Sequence, residues 1–300
     1  MDKPATTTAF SRAVQAIING DEEGLKALLR ADPSLVRERS TARHQATLLH
    51  YVAANGTENE LQLSPKNAPA IARCLLEAGA EVDAVAPLGG DPRFTTTLCM
   101  TVTSAHPWKA GIQPNIVDAL VDHDSRVDGI ADEGGPLGCA LLFGYTRAAE
   151  RLVLRGARVD NVIYAAGLGR TDVVRRMVAT RTGTGGILRR TDDWASHFSF
   201  PLPRDADAFE LALIVAAIHD RLTTVRALLD SGIAVDAAPF CGETALHFAA
   251  HLGCTDVLDE LLARGADSSV VDTRKKKTPA QWAMEGGFPE IAKRLEEKRT

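Results

Sequence analysis

The 300-residue chain has little of what marks several common classes of protein. Its five cysteines are an odd number without a CxxC pair, which argues against a disulfide framework or a zinc site and favours free thiols in a reducing compartment. It has no apolar N-terminal segment of the secretory kind, and no run of about 18 uninterrupted apolar residues. We therefore expect a cytoplasmic protein with no membrane partner.

The chain also lacks an excess of positive charge. Its formal net charge is −5, which gives no electrostatic footprint for nucleic acid, so we expect no nucleic-acid partner. The basic run RKKK at 274–277 is predicted to be a solvated turn. Arginine outnumbers lysine by 25 to 9, which suggests a GC-rich, bacterial genome.

The chain does contain internal repeats. The pair Leu228–Leu229 recurs 33 residues later as Leu261–Leu262, and Gly232 recurs at the same distance as Gly265. Weaker copies of the pattern occur further upstream. A period of this length is typical of helical repeat proteins, in which each unit packs only on its neighbours.

The repeat resembles the ankyrin repeat, whose signature runs TPLHxAA, glycine, V/I and LLxxGA. The best copy, at 242–267, reads GETALHFAAHLGCTDVLDELLARGAD. Its matching residues are Thr244, Leu246, His247, Ala249, Ala250, Gly253, Val257, Leu261, Leu262, Gly265 and Ala266. Thr244 suits a helix N-cap, and the two glycines suit left-handed helix ends.

The resemblance implies an all-α, ankyrin-repeat solenoid of stacked helix pairs. We expect one domain over 9–297, with an N-terminal capping pair at 9–36 and about seven repeats. The first helices of the repeats are predicted to start near Thr47, Thr96, Gly135, Asp160, Leu211, Thr244 and Thr278. Between Gly156 and Asp160 the usual hairpin is too short, which predicts a direct turn into the next helix pair.

Three segments exceed the length that the repeat needs: 57–69, 105–114 and 179–208. Each of the first two lies between the two helices of one repeat. Because these two repeats are neighbours, we expect the segments to lie side by side on one edge. The third contains clusters of glycine, proline, serine and aspartate but also apolar residues, and is predicted to fold back on the solenoid. Long loops on a rigid scaffold often carry function.

Two histidines fall in the fourth position of the TxLH element, His50 in TLLHYVAANG and His247 in TALHFAAHLG. The resemblance implies that each is structural and ties a helix start to the backbone of a neighbouring loop. We therefore interpret neither histidine as catalytic.

The leading functional hypothesis is a protein or peptide partner bound in the concave groove that first helices line in ankyrin proteins. Residues at two slots of the first helices form an apolar, aromatic stripe with little charge, as at the centre of many interfaces. The predicted groove residues are Tyr51, Asn55, Met100, Phe143, Tyr164, Leu168, His219, Phe248 and Trp282. The alternative for the first slot is packing against the neighbouring helix.

A second hypothesis is a small-molecule binding protein or atypical enzyme. Its pocket would be enclosed by 57–69, 105–114 and 179–208, with His44, His106 and Glu58 as candidate acid–base groups. These three are chosen because they fall outside the structural slots of the repeat. The chain contains no recognisable catalytic motif, so we lean away from an enzyme and expect no cofactor and no metal.

Overall fold

The computed structural model describes residues 8–87, 92–132, 134–184, 208–239 and 241–297. The chain divides into two compact units, Met1–Arg158 and Val159–Thr300, called here the N-terminal unit and the C-terminal unit. The boundary falls in the short connection from Gly156 to Asp160. That a single domain covers 9–297 stays a prediction.

The N-terminal unit consists of helix pairs in which consecutive pairs pack on one another. Its helices are α1 (Ala9–Asn19), α2 (Glu22–Ala31), α3 (Leu48–Val52), α4 (Ala68–Glu77), α5 (Thr97–Thr101), α6 (Ala105–Lys109), α7 (Gln113–Val121), α8 (Gly135–Leu142) and α9 (Thr146–Leu154). Short 3-10 turns lie at Pro33–Arg37, Asn59–Leu61 and Pro92–Phe94.

The C-terminal unit repeats the pairing of helices. Its helices are α10 (Val162–Gly167), α11 (Thr171–Thr180), α12 (Ala208–Ile218), α13 (Leu222–Asp230), α14 (Ala245–Leu252), α15 (Thr255–Ala263), α16 (Pro279–Gly286) and α17 (Pro289–Glu297). First helices pack on first helices, α10 on α12, α12 on α14 and α14 on α16. The described ranges contain no strand, which confirms the prediction of an all-α fold built from stacked helix pairs.

The helix starts follow from capping residues that are visible in the sequence. Thr96 Oγ1 accepts from the backbone N–H of Cys99, and Thr278 Oγ1 accepts from that of Gln281, both at 3.4 Å. The side chain of Gln281 returns the contact by accepting from the N–H of Thr278 at 3.0 Å, which completes a capping box. Helix α10 begins at Val162, after the Asn161 cap, and α12 is already helical at Ala208.

An aspartate in the connection after each of several helix pairs binds the backbone of the next connection. The bond recurs in both units, and within each unit it links one connection to the next. The bonds run from backbone N–H to carboxylate, Arg126 to Asp83 (3.0 Å) and Arg158 to Asp128 (2.9 Å) in the N-terminal unit, and Asp267 to Asp236 (3.0 Å) in the C-terminal unit.

The insertions differ from simple loops where the structure describes them. Segment 57–69 contains the Asn59–Leu61 turn, and segment 105–114 contains the helix α6. Of 179–208, residues 185–207 lie outside the described residues. The part before them is held in the C-terminal unit, since the carbonyl of Gly183 accepts from the N–H of Val162 at 2.8 Å. No described helix is both long and apolar enough to cross a membrane.

Candidate functional site

His50 and His247 are structural, as the repeat pattern predicts. Nδ1 of His50 accepts from the N–H of Thr47 at 3.2 Å, and its Nε2 contacts the carbonyl of Thr95 at 3.1 Å. His247 repeats the first contact with Thr244 at 3.1 Å. Its Nε2 lies 3.3 Å from a loop carbonyl further along the chain. Both rings are fully buried, so the predicted tie between helix start and loop is confirmed.

Burial lowers the pKa of His50 to about 4, despite the opposing contact with the Thr95 carbonyl. Burial also lowers the pKa of His247, against the effect of its backbone partner and of the Asp272 carboxylate. Both rings are therefore neutral at pH 7 and committed to backbone contacts. Neither has a nitrogen free for acid–base chemistry.

Most residues of the first groove slot lie in the interior. Tyr51 is 2% exposed and Trp282 is 3% exposed, and Met100 and Tyr164 are buried to the same degree. The slot turns toward the neighbouring helix pair: the Trp282 ring meets those of His247 and Phe248 edge-on. A partner that leaves the helices packed cannot contact these four buried side chains, which agrees with the packing alternative for this slot.

The second slot is mixed. The Asn55 side chain is hydrogen-bonded to the next repeat. Its Nδ2 donates to Thr103 Oγ1 at 2.9 Å and to the Met100 carbonyl at 3.3 Å. His219 is buried. Phe143 and Leu168 are half-buried, like Phe248 of the first slot. Of the nine predicted groove residues, these three present apolar surface to solvent.

Three aromatic residues of the N-terminal unit connect an insertion with a repeat. Trp108, on α6, is 50% exposed and stacks on the buried Tyr145 with ring centroids 5.4 Å apart. The centroid of the Phe143 ring lies 6.0 Å from that of Tyr145. We call Trp108, Phe143 and Tyr145 the aromatic cluster. Trp108 lies in the predicted insertion 105–114 and Phe143 was predicted to line the groove, but nothing in the sequence pattern connected them through Tyr145.

A polar cluster forms where the first insertion meets the loop before α3. Glu58 Oε2 lies 3.1 Å from Nε2 of His44 and accepts from the Tyr51 hydroxyl at 3.2 Å. Nδ1 of His44 accepts from the backbone N–H of Ala46 at 3.0 Å, which fixes the ring in place. Two of the three candidate acid–base residues thus meet, and we call Glu58, His44 and Tyr51 the Glu58 cluster.

The Glu58 cluster shifts the pKa of its own members. Burial alone would raise the pKa of Glu58, but hydrogen bonds from its own backbone and from His44 and Tyr51 outweigh this and lower it. Burial and the neighbouring carboxylate raise the pKa of Tyr51 to about 12, although Ser40 opposes the shift. At neutral pH Glu58 is therefore ionised, and Tyr51 keeps its proton.

A cleft of about 330 Å³ opens beside the Glu58 cluster. It lies between α1, the loop at 38–42 and the first insertion. Its wall comprises Thr8, Phe10, Ser11, Val14, Gln15, Glu38, Arg39, Ser40, Thr41, Ala42, Tyr51, Glu58 and Leu61. Neither the N-terminal helix nor the 38–42 loop was expected to contribute to a pocket.

The remaining candidate, His106, is exposed on α6 and does not line this cleft. Of the three insertions predicted to enclose a pocket, 57–69 lines this cleft and 105–114 does not, while residues 185–207 lie outside the described residues. The pocket formed by all three stays a prediction. Within the described ranges no group of three or more His, Cys, Asp or Glu side chains has an arrangement that could hold a metal ion.

The basic run at 274–277 is a tight, ion-paired turn rather than a simple solvated one. Arg274 pairs with the buried Glu243 at 2.6 Å, and both Lys275 and Lys277 pair with Glu285. Lys275 also lies over the Trp282 ring, 4.1 Å from its centroid. Three of the four positive charges are thus engaged within the C-terminal unit.

The sequence comparisons agree with this repeated architecture. The family model described as ankyrin repeats (3 copies) matches residues 161–272 and 213–299. Together these matches span residues 161–299, most of the C-terminal unit. Human B-cell lymphoma 3 protein is 29% identical over 172 residues, which are 52% of this chain and 34% of that protein. The chain thus spans about a third of the length of this relative.

Solved structures show a more distant likeness. The ankyrin repeat domain of human ASB11 is 18% identical with a TM-score of 0.45, covering 94% of this chain and 96% of that one. The ankyrin repeat domain of Bcl-3, a member of the IkappaB protein family, is 20% identical with a TM-score of 0.40, covering 94% and 97%. With both TM-scores below 0.5, the description of the fold rests on the helix pairs themselves.

Proposed function

We propose that the protein is a cytoplasmic interaction module that binds a protein or peptide partner. The observation that carries the proposal is Trp108, a half-exposed tryptophan held on a helix by stacking on Tyr145. Tryptophan and tyrosine are enriched among the residues that dominate binding energy at protein interfaces. The ankyrin repeats of the C-terminal unit support an interaction role, although a fold alone does not fix function.

The surroundings of the aromatic cluster fit an interface. Lys109 follows Trp108 and Arg147 closely follows Tyr145, and both are exposed with no salt bridge to a described residue. An apolar centre with unpaired charge at its edge is the usual anatomy of an interface. The partner we expect therefore offers an apolar side chain to Trp108, with acidic groups beside it.

The groove hypothesis is retained in a narrower form. In the C-terminal unit, Phe248 and the exposed Leu252 lie one turn apart on α14, and the exposed Met284 lies on the adjacent α16. With Leu168, these residues are the part of the predicted stripe and its neighbours that a partner can reach in the C-terminal unit. Phe143 belongs to the aromatic cluster of the N-terminal unit. In our proposal the buried Tyr164 and Trp282 support the surface of the C-terminal unit.

Site-specific photo-crosslinking tests the assignment of Trp108. A photoreactive phenylalanine analogue is placed at position 108 or, as a control, at Leu154, which is 76% exposed on α9 of the same unit. In cells of the source organism, we expect a discrete crosslinked protein from position 108 and none from 154.

The captured partner is then titrated with purified variants. Trp108→Ala should weaken binding at least about tenfold, the effect of losing roughly 1.4 kcal/mol at a hot spot, whereas Leu154→Ala should leave affinity unchanged. Circular dichroism confirms that both variants are folded. Equal crosslinking at the two positions, or an unchanged affinity of Trp108→Ala, would contradict the proposal.

The alternative of a small-molecule binding protein or atypical enzyme stays a hypothesis. Within the described residues, segment 57–69 lines the cleft beside the Glu58 cluster, whereas His106 and the rest of 105–114 do not.

A further inference from the structure

We infer that the cleft beside the Glu58 cluster is a binding site for a primary alkylammonium group. The inference does not depend on the proposed partner, because the cleft and the aromatic cluster share no residue. Three features carry it: a positioned carboxylate, apolar atoms in the wall, and an arrangement of the remaining charges that leaves the cleft negative.

The side-chain contacts of the Glu58 carboxylate from Tyr51 and His44 both fall on Oε2, so neither of them engages Oε1. We expect Oε1 to be the oxygen that accepts from a ligand. The Glu58 side chain is one-third exposed and forms part of the cleft wall. The lowered pKa of Glu58 keeps this oxygen charged at neutral pH. A charge-assisted hydrogen bond from an ammonium group is the strongest contact that this arrangement offers.

The backbone beside His44 is held in a conformation that favours this arrangement. Gln45 has a φ of +46°, which a non-glycine residue adopts only when its surroundings impose it. Its carbonyl accepts from Arg39 Nη1 at 3.1 Å, and its N–H donates to Ala42 at 2.9 Å. The strained residue is thus fixed from both sides. The imidazole that contacts Glu58 is positioned before any ligand arrives.

The walls of the cleft suit an alkyl chain that ends in a cation. Phe10, Val14 and Tyr51 are largely buried and reach the wall only with part of their surface, while Leu61 is half-buried. The apolar atoms that line the cleft can accept methylene groups. A volume of about 330 Å³ lies at the lower end of the range for small-ligand sites, which fits a short amine.

The other charged residues of the wall do not reverse this preference. Arg39 donates from Nη1 to the carbonyls of Gln45 and Val85, at 3.1 and 2.8 Å, so its guanidinium ties two loops together. Glu38, exposed in the wall, offsets its charge. Glu58 then leaves the wall with a net negative charge. Arg39 nonetheless gives the competing possibility, an anionic ligand, and the experiment includes it.

The test is a ligand titration of the full chain at pH 7, in which ¹⁵N–¹H correlation spectra report the chemical shifts of the backbone amides. The probes are butylamine, present as butylammonium, with butyrate and 1-butanol as anionic and neutral analogues. We expect saturable shifts for amides of residues 8–15, 38–42 and 58 with butylammonium, and at least about tenfold weaker effects with the other two. Preferred binding of butyrate, or no saturable shift at these residues up to 100 mM butylammonium, would overturn the inference.

Glu58→Gln is the decisive variant, and Glu60→Gln is its matched control. The glutamine oxygen can replace Oε2 toward Tyr51 and His44, but its NH2 group then faces the ligand and cannot accept from an ammonium. We expect Glu58→Gln to weaken butylammonium binding about tenfold or more, as for the loss of a hydrogen bond to a charged group. Glu60 is exposed on the same 3-10 turn and does not line the cleft, so Glu60→Gln should bind as the parent does.

Thermal unfolding checks that Glu58→Gln is folded. If it is not, Tyr51→Phe, which keeps the ring but removes the hydroxyl contact with Oε2, takes its place and should weaken binding by a smaller factor. Unchanged binding in a folded variant of either kind would refute the role of the Glu58 carboxylate. A capped lysine amide in place of butylamine distinguishes the source: tighter binding than butylammonium indicates a lysine side chain, and weaker binding indicates a free amine.

Discussion

The two units use the same helix-pair plan, but they differ in regularity. In the N-terminal unit the first helices α3 and α5 have five residues each, and insertions follow both. In the C-terminal unit α14 and α16 have eight residues, with a tight turn to the second helix. The N-terminal unit contains the Glu58 cluster, its cleft and the aromatic cluster, close to these insertions. The C-terminal unit has an extra segment of its own, 179–208, but around α14 and α16 its polar side chains are used for packing.

The two tryptophans give the largest expected contrast between the units. Trp282 is buried, and its Nε1 donates to Asp272 Oδ2 at 3.1 Å, while Trp108 is half-exposed. Trp282→Ala should lower the free energy of unfolding by about 3–5 kcal/mol, because it opens a cavity and removes a donor. Trp108→Ala should cost only about 1 kcal/mol, the stacking on Tyr145.

Urea unfolding followed by far-ultraviolet circular dichroism measures both tryptophan variants. Similar losses of stability in the two variants would contradict the assignment of Trp282 to packing and of Trp108 to binding.

Two glycines of the C-terminal unit test how closely its helices pack. A Cβ at Gly286 would lie 1.9 Å from the backbone carbonyl oxygen of His251, whereas a Cβ at Gly265 would meet nothing within 4 Å. Gly286→Ala should therefore force α14 and α16 apart and cost about 3 kcal/mol or more. Gly265→Ala should cost about 1–2 kcal/mol, from its φ of +86° alone.

The same urea titration compares the two glycine variants with the parent. Equal losses of unfolding free energy in the two variants would mean that α14 and α16 separate easily. The C-terminal unit would then be less tightly packed than the structure indicates.

The structural histidines predict a pH dependence in both units. The folded-state pKa of His50 is about 4 and its ordinary value is 6.5, so in this window the unfolded chain binds a proton that the native state does not. Stability should therefore fall as the pH decreases through 6.5 toward 4, by up to about 3 kcal/mol for His50. His247 shifts in the same direction and should act likewise in the C-terminal unit.

Urea titrations between pH 7 and 4 in a Trp194→Phe background use Trp108 and Trp282 as fluorescent reporters for the two units. His50→Gln is the control, because Gln281 already fills the same capping-box position in α16. This variant should flatten the pH dependence of the N-terminal unit only. A parent protein whose stability does not change over this range would contradict the buried, neutral assignment of both rings.

Part of the site could be predicted from the sequence, and part could not. Position in the repeat identified His50 and His247 as structural, and the excess length of the insertions pointed to Trp108 and Glu58. The groove stripe was only partly useful, because a residue that follows the TxLH histidine can face either solvent or the adjacent pair. In this chain Tyr51, Tyr164 and Trp282 face inward.

By itself the sequence determined the helix pairs, their caps and the role of the capping-box histidines, since these depend on contacts within about one helical turn and on glycines that adopt left-handed conformations. Only the tertiary structure decided which aromatic residues are buried, that Tyr145 joins Trp108 to Phe143, and that His44 meets Glu58 beside a cleft. Such contacts join segments distant in the chain. Their distances depend on how the insertions fold against the repeats, which no local pattern specifies.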